Sequence, residues 1–209
     1  MRPETLHRIR SAAHEELARV PMPRRWWHEA LLLAGLNSAV AVACALALSS
    51  TGFIGNPASL GVLVAVAVPP ALVIVLGAVA AVMPGGRAGL LSTLALVGVA
   101  TVAIVSGGSA TADGRPFLGA GVRCLSVEIL AATLPTTAVI VVLSRFAYQP
   151  LRILVGGLAA GATGVLALHL HCPIGTPSHL VLFHLLPWVA AAAVAVFIRS
   201  RVHSGSFAP

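Results

Sequence analysis

Six long apolar runs constrain the fold of this chain more than any other feature of its sequence. The runs lie roughly at 30–50, 60–83, 88–106, 121–144, 150–170 and 178–199. An α-helix of about 20 residues crosses the roughly 30 Å hydrocarbon core of a bilayer. The runs also lack the alternating pattern of a membrane β-barrel. They predict an all-α, polytopic bundle of six transmembrane helices.

The composition agrees with a membrane protein. Hydrophobic residues make up 58% of the chain and charged residues 9%, whereas a soluble domain carries roughly 25% charged residues. A charged segment precedes the first apolar run and no small-residue cleavage pattern follows it, so we expect this run to remain as an anchor. The expected organisation is a cytoplasmic N-terminal segment, a transmembrane domain and a cytoplasmic tail, at residues 1–28, 29–200 and 201–209.

The arginines predict the orientation of the bundle. The chain contains 13 arginines and no lysine. Only two of the arginines, Arg115 and Arg123, fall on the side of the predicted membrane opposite the N-terminal segment. The other 11 are the six in the N-terminal segment and Arg87, Arg145, Arg152, Arg199 and Arg201. The positive-inside rule then places both termini in the cytoplasm of a bacterial inner membrane. Because the arginines flank apolar runs, we expect no direct nucleic-acid partner.

The N-terminal segment predicts a short amphipathic helix over residues 3–20. Pro3 and Glu4 suit its first turn, and Pro21 and Pro23 end it. Its apolar stripe consists of Leu6, Ile9, Ala13, Leu17 and Val20. A helix this short cannot bury the stripe alone, so we expect it to contact a partner protein, the lipid headgroups or the loops of the bundle.

Prolines and glycines inside the runs suggest where helices bend or pack closely. Pro69-Pro70 and Pro135 are candidate hinges, although membrane helices also tolerate proline for structural reasons alone. Gly157 and Gly161 have the spacing of a GxxxG pair, which predicts close helix packing in the fifth run.

Cysteine, histidine and glutamate side chains from four predicted spans share the outer half of the membrane. Cys124 and Cys172 lie at the outer ends of the fourth and fifth spans, and Cys44 lies in the outer half of the first. The candidate ligands for a zinc- or cadmium-like metal are Cys124, Cys172, His169, His184 and Glu128. Three interpretations stay open: a Cys124–Cys172 disulfide, a metal- or oxidant-sensing site, and cysteines that are apolar fillers beside interfacial histidines. We expect no required cofactor beyond such a metal.

The second half of the chain carries a series of short motifs: Gly121-Val-Arg-Cys124, Leu134-Pro135, Arg145, Pro150, His171-Cys172-Pro173, His179 and His184. With the six-span layout and the short N-terminal segment, these motifs resemble the NrsF family. Members of that family are membrane-bound anti-sigma factors of extracytoplasmic-function (ECF) sigma factors. Relatives have a Trp-His step where this chain reads Phe183-His184.

The resemblance implies a non-enzymatic signalling protein. Its cytoplasmic segment would hold an ECF sigma factor at the membrane, and metal or oxidant stress would release it through Cys124 and Cys172 as the sensing pair. The alternative is a small metal or solute transporter that uses Glu128 and the histidines. A third class is a membrane redox or haem enzyme with His169 and His184 as ligands.

Overall fold

The computed structural model describes residues 26–50, 56–84, 87–107 and 117–202. These residues form six long helices and contain no strand: α1 Trp26–Ser50, α2 Leu60–Val82, α3 Arg87–Ser106, α4 Phe117–Leu143, α5 Pro150–His171 and α6 Pro177–Arg201. All six are long and apolar enough to cross a membrane, which confirms the predicted all-α membrane bundle. The predicted helix over 3–20, with its stripe, lies outside the described residues.

Successive helices run in opposite directions, so the bundle has two distinct ends. At one end, the Ser49 hydroxyl at the close of α1 hydrogen-bonds with Nε2 of His171 at the close of α5, at 2.8 Å. We call this the cysteine end, because Cys124 and Cys172 lie there. We call the opposite end, where α1 begins and α6 ends, the arginine end.

Helix α5 is the centre of the bundle. In its most apolar stretch 83% of the residues are buried inside the protein, against 22% to 39% for the other five helices. It packs against each of those five. Large apolar side chains of the surrounding helices, such as Leu31, Leu130 and Phe197, are exposed on the outside of the bundle. That distribution is the one expected when hydrocarbon replaces water as the solvent.

Glycines of α5 let its neighbours approach closely. A Cβ atom on Gly157 would lie 2.8 Å from the Cα atom of Ala192 on α6, and one on Gly161 would lie 2.6 Å from the Trp188 ring. Trp188 is buried, and its Nε1–H donates to the Leu158 carbonyl at 2.6 Å. Gly157 and Gly161 therefore form the close contact that their spacing predicted, and its partner is α6 of the same chain.

The prolines inside the helices do not interrupt them. Helix α2 continues through Pro69 and Pro70, and α4 continues through Pro135. Their role as hinges stays a prediction.

Polar contacts at the arginine end fasten α1 and α6 to the connection between α4 and α5. Arg145 of this connection donates to the buried Glu29 carboxylate of α1 at 3.1 Å. Arg199 of α6 is buried, and it donates to the carbonyls of Leu143 at 3.2 Å and Phe146 at 2.8 Å. The Leu143 carbonyl belongs to the last turn of α4, which carries partial negative charge and therefore favours a positively charged donor.

We expect Gly157→Ala to destabilise the bundle, because the new methyl group meets the α6 backbone at a distance that forces the helices apart. Overpacking of this kind costs about 1–3 kcal/mol. Gly98→Ala is the matched control: Gly98 is exposed on α3, and a methyl group added there would have no atom within 4 Å. Thermal unfolding in detergent should show a lower midpoint for Gly157→Ala alone, and equal midpoints would contradict the close contact.

We expect Arg199→Met to lower the free energy of unfolding by on the order of 2 kcal/mol, because buried carbonyls lose a charged donor. Arg201→Met is the control, since Arg201 is exposed and contacts the Phe197 ring at 5.1 Å. Both variants remove one positive charge from the same end of α6. A similar loss of stability in both would show that charge, and not the carbonyl contacts, matters.

Candidate functional site

Cys124 and Cys172 meet at the cysteine end. Cys124 lies in the second turn of α4, and Cys172 caps α5, where its N–H donates to the Leu168 carbonyl at 2.7 Å. Their sulfur atoms are 3.7 Å apart, and both residues are buried. Both thiols are free. Two sulfurs at this distance are in contact without a covalent bond, which would require about 2.05 Å.

A π-helical turn in α6 brings two histidines to these sulfurs. Val181–Leu185 forms the turn, and the N–H of Leu186 donates to the carbonyl of Val181, five residues earlier. In a regular α-helix, residues five apart point about 140° away from each other. Here His179 and His184 lie on one side, with ring centroids 5.5 Å apart. Nε2 of His179 is 3.4 Å from Sγ of Cys172.

Four donor atoms converge as a result. One atom each from Cys124, Cys172, His179 and His184 lies within 4.8 Å of the other three, and all four residues are buried. Among the described residues, neither ring nitrogen of His184 has a hydrogen-bond partner. A fully buried imidazole without partners is costly, because it loses its hydration and gains nothing in return.

Three of the five predicted ligands belong to this group, namely Cys124, Cys172 and His184. His169 and Glu128 are buried near it but lie outside the four-donor group. Their ring nitrogens and carboxylate oxygens have no hydrogen-bond partner within the described part of the chain. His169 and Glu128 therefore remain predicted ligands, and no distance in the structure assigns them to the four-donor group.

The sequence interpretation omitted His179 as a ligand, because a spacing of five residues does not define a face of a regular helix. A signal was nevertheless present at Pro187. Proline lacks an N–H group, and its ring clashes with the carbonyl four residues earlier, here that of Phe183. A π turn just before the proline relieves this conflict, and such turns are frequent at functional sites.

The surroundings of the sulfurs are apolar and tightly packed. Leu48, Ala167 and Ile174 pack with the two cysteines in one cluster. The Phe183 ring lies against Gly121, where any Cβ atom would fall 2.3 Å from it. Water therefore has little access to the thiols from this side.

The α1–α2 connection is attached to the same end of α5. The Asn56 side-chain amide donates to the carbonyl of His169 at 2.9 Å, and the Asn56 N–H donates to that of Leu170 at 3.3 Å. These bonds satisfy carbonyls that the end of a helix leaves open. They also hold the backbone directly before Cys172 in place.

The arrangement supports two kinds of chemistry. Two adjacent thiols can be oxidised to a disulfide with a small side-chain movement. Alternatively, two thiolates and two imidazoles can coordinate a zinc-like cation, a ligand set common in structural sites. Both use Cys124 and Cys172, which is the pair predicted from the sequence.

We expect diamide to convert the metal-free protein to a Cys124–Cys172 disulfide, with the two thiol hydrogens taken up by diamide. Peptide mapping by mass spectrometry without reduction should find these two cysteines joined within one chain. Cys44→Ser should react in the same way, since Cys44 only borders the cluster. A product that contains Cys44, or no product at all, would contradict the observed contact between the sulfurs.

Comparison with known proteins places the chain in a family. No protein-family model matches it, and no solved structure matches it. It is 30% identical to carotenogenesis protein CarR of Myxococcus xanthus over an alignment of 211 residues. The alignment covers 98% of this chain and 90% of CarR, so the similarity extends over both the helical bundle and the N-terminal segment. The chain belongs to the family of carotenogenesis protein CarR.

Proposed function

We propose that this protein is a membrane-bound anti-sigma factor of the NrsF type. In this proposal its N-terminal segment sequesters an ECF sigma factor at the cytoplasmic face of a bacterial inner membrane. Metal or oxidant stress acts on the Cys124–Cys172 pair and releases the sigma factor. The protein acts by binding and performs no catalysis.

The observation that carries the proposal is the similarity to CarR along nearly the whole chain. Homology to CarR supports an anti-sigma role. A relationship confined to the apolar helices would carry little weight, because membrane helices share composition for physical reasons alone. Here 98% of the chain is covered, which includes most of the charged segment before α1. That segment is where a soluble partner has access to the protein.

The distribution of arginines supports the proposed orientation. Arg87, Arg145, Arg152 and Arg201 lie at the arginine end, which also continues into the segment with six further arginines. Arg123 is the sole arginine of the described residues at the cysteine end. Cytoplasmic loops carry the excess of positive charge in membrane proteins. The cysteines then lie in the outer half of the membrane, where an oxidising compartment can reach them.

The transporter alternative receives less support from the positions of ionisable residues. On α4 no ionisable residue follows Glu128 within the helix, and on α6 none lies between His184 and Arg199. On α5 none lies between Arg152 and His169. A transport path for ions needs polar or ionisable groups on both sides of the membrane centre. Here the ionisable groups of these three helices lie in the cysteine half and at the arginine end, and the buried polar side chains described between them are Thr136 and Thr163 alone.

The proposal predicts that a chain without residues 1–20 loses its sigma factor. The full-length protein, extracted in mild detergent, should co-purify with an ECF sigma factor, and the truncated protein should not. Leu17→Asp should weaken this capture strongly, because it places a charge in the apolar stripe. Glu15→Gln is the matched control, since Glu15 lies off the stripe and should leave capture intact.

Two results would contradict the proposal. One is capture of the sigma factor by the chain that begins at residue 21. The other is a full-length protein that, expressed together with the ECF sigma factors of its own genome, retains none of them. Metal flux into proteoliposomes containing the purified protein would favour the transporter.

A further inference from the structure

We infer that Cys124, Cys172, His179 and His184 form a four-coordinate site for a single divalent, zinc-like cation. Binding there, and not oxidation alone, is then the event that the protein detects. The physiological meaning of this event rests on the proposed function, whereas the binding itself does not.

The distances between the donor atoms carry this inference. Zinc bonds of about 2.3 Å to sulfur and about 2.0 Å to nitrogen, at tetrahedral angles, place two sulfurs about 3.8 Å apart and a sulfur and a nitrogen about 3.6 Å apart. The Cys124 and Cys172 sulfurs are 3.7 Å apart, and the Cys172 sulfur is 3.4 Å from His179 Nε2. These two distances match two edges of a metal tetrahedron, and all four donor atoms lie within 4.8 Å of one another, so movements of about 1 Å bring them around one ion.

The unpartnered His184 supplies a second, independent observation. Its ring is fully buried, and its two nitrogens have no hydrogen-bond partner within the described residues. It reaches the group because the π turn Val181–Leu185 rotates it toward His179. Pro187 accounts for the turn itself, because the turn relieves the clash of its ring with the Phe183 carbonyl. The buried imidazole that the turn brings to the thiols still lacks a partner among the described residues, and a metal bond would supply one.

Charge selects the class of ion. Two thiolates and two neutral imidazoles carry a total charge of −2, so a divalent cation gives a neutral site. The site is surrounded by apolar side chains such as Leu48 and Ile174 in the membrane domain, where a net charge is expensive. A monovalent or trivalent ion would leave a net charge there. Sulfur and imidazole donors also favour zinc and cadmium over magnesium and calcium, which prefer oxygen.

The site differs from the ligand set predicted from the sequence in two ways. It includes His179, and it does not use His169 or Glu128. Histidine variants in the same part of the bundle can therefore test the site, because His179 and His184 are ligands in this inference and His169 is not.

The test uses Co²⁺ as a spectroscopic probe on the full-length protein in detergent, after metal removal with a chelator and reduction of the thiols. One Co²⁺ per chain should bind and give the intense visible bands of tetrahedral cobalt, with thiolate charge transfer in the near ultraviolet. Zn²⁺ should displace it and remove these bands. Weak bands of six-coordinate cobalt without charge transfer would overturn the inference.

Variants then identify the ligands. Cys124→Ser, Cys172→Ser, His179→Gln and His184→Gln should each weaken binding by more than the roughly 100-fold that loss of an outer-sphere partner costs. His169→Gln and Cys44→Ser are the controls and should keep the spectrum and the affinity. An unchanged spectrum in His179→Gln, or a lost spectrum in a folded His169→Gln protein, would show that the ligand set is wrong.

A measurement on the unmodified chain covers the case in which a variant fails to fold. Zn²⁺ should protect Cys124 and Cys172 from a membrane-permeant alkylating reagent and leave Cys44 equally reactive. Equal labelling of Cys124 and Cys172 with and without Zn²⁺ would overturn the site. Capture of the sigma factor is scored separately: a protein that captures it but binds no metal refutes this inference and leaves the proposed function standing.

Discussion

The bundle depends on the close approach of five helices to α5. Association of helices in a membrane gains nothing from the hydrophobic effect, because lipid tails are as apolar as leucine side chains. Stability must therefore come from packing, and packing improves as backbones approach. Gly156, Gly157, Gly161 and Gly164 allow this approach on different sides of α5. Without them α5 could not be buried to the extent observed.

The same contacts determine where the site residues lie. The backbone of α4 packs closely against Gly164 at Glu128, which is one turn from Cys124. Trp188 of α6, one turn beyond His184, packs closely against Gly161. Cys172 follows directly at the end of α5. The sulfur–sulfur and sulfur–imidazole distances are thus consequences of helix packing several residues away. A change at a glycine can disturb the site without touching any ligand.

The amino-acid sequence was sufficient to predict the helices, because span length and hydropathy are local properties. The first and fourth helices begin about four residues earlier than the apolar runs suggested, at Trp26 and Phe117, since helical hydrogen bonding is not confined to the lipid-spanning stretch. The sequence also placed Cys124 and Cys172 at the same end of two consecutive spans, but it left open whether they pair, and their role as a sensing pair came from the family resemblance. His179 did not, because its position depends on a π turn that hydropathy does not encode.

Arg199 illustrates the other limit of sequence interpretation. Its place at the end of the last apolar run made it an ordinary topology signal, one arginine among several. In the structure it is buried and donates to the carbonyls of Leu143 at the end of α4 and Phe146 in the α4–α5 connection. A flanking arginine in solvent and one that closes a helix end look identical in a sequence. The difference lies in a tertiary contact between residues more than 50 positions apart.

The contacts of Arg145 and Arg199 have a geometric consequence for the ends of the chain. Helix α1 carries the N-terminal segment and α6 carries the tail, and both are bonded to the one short connection that joins α4 to α5. The opposite ends of α4 and α5 hold the two cysteine sulfurs. A change in the angle between α4 and α5 would therefore alter both the spacing of those sulfurs and the separation of residues 26 and 201.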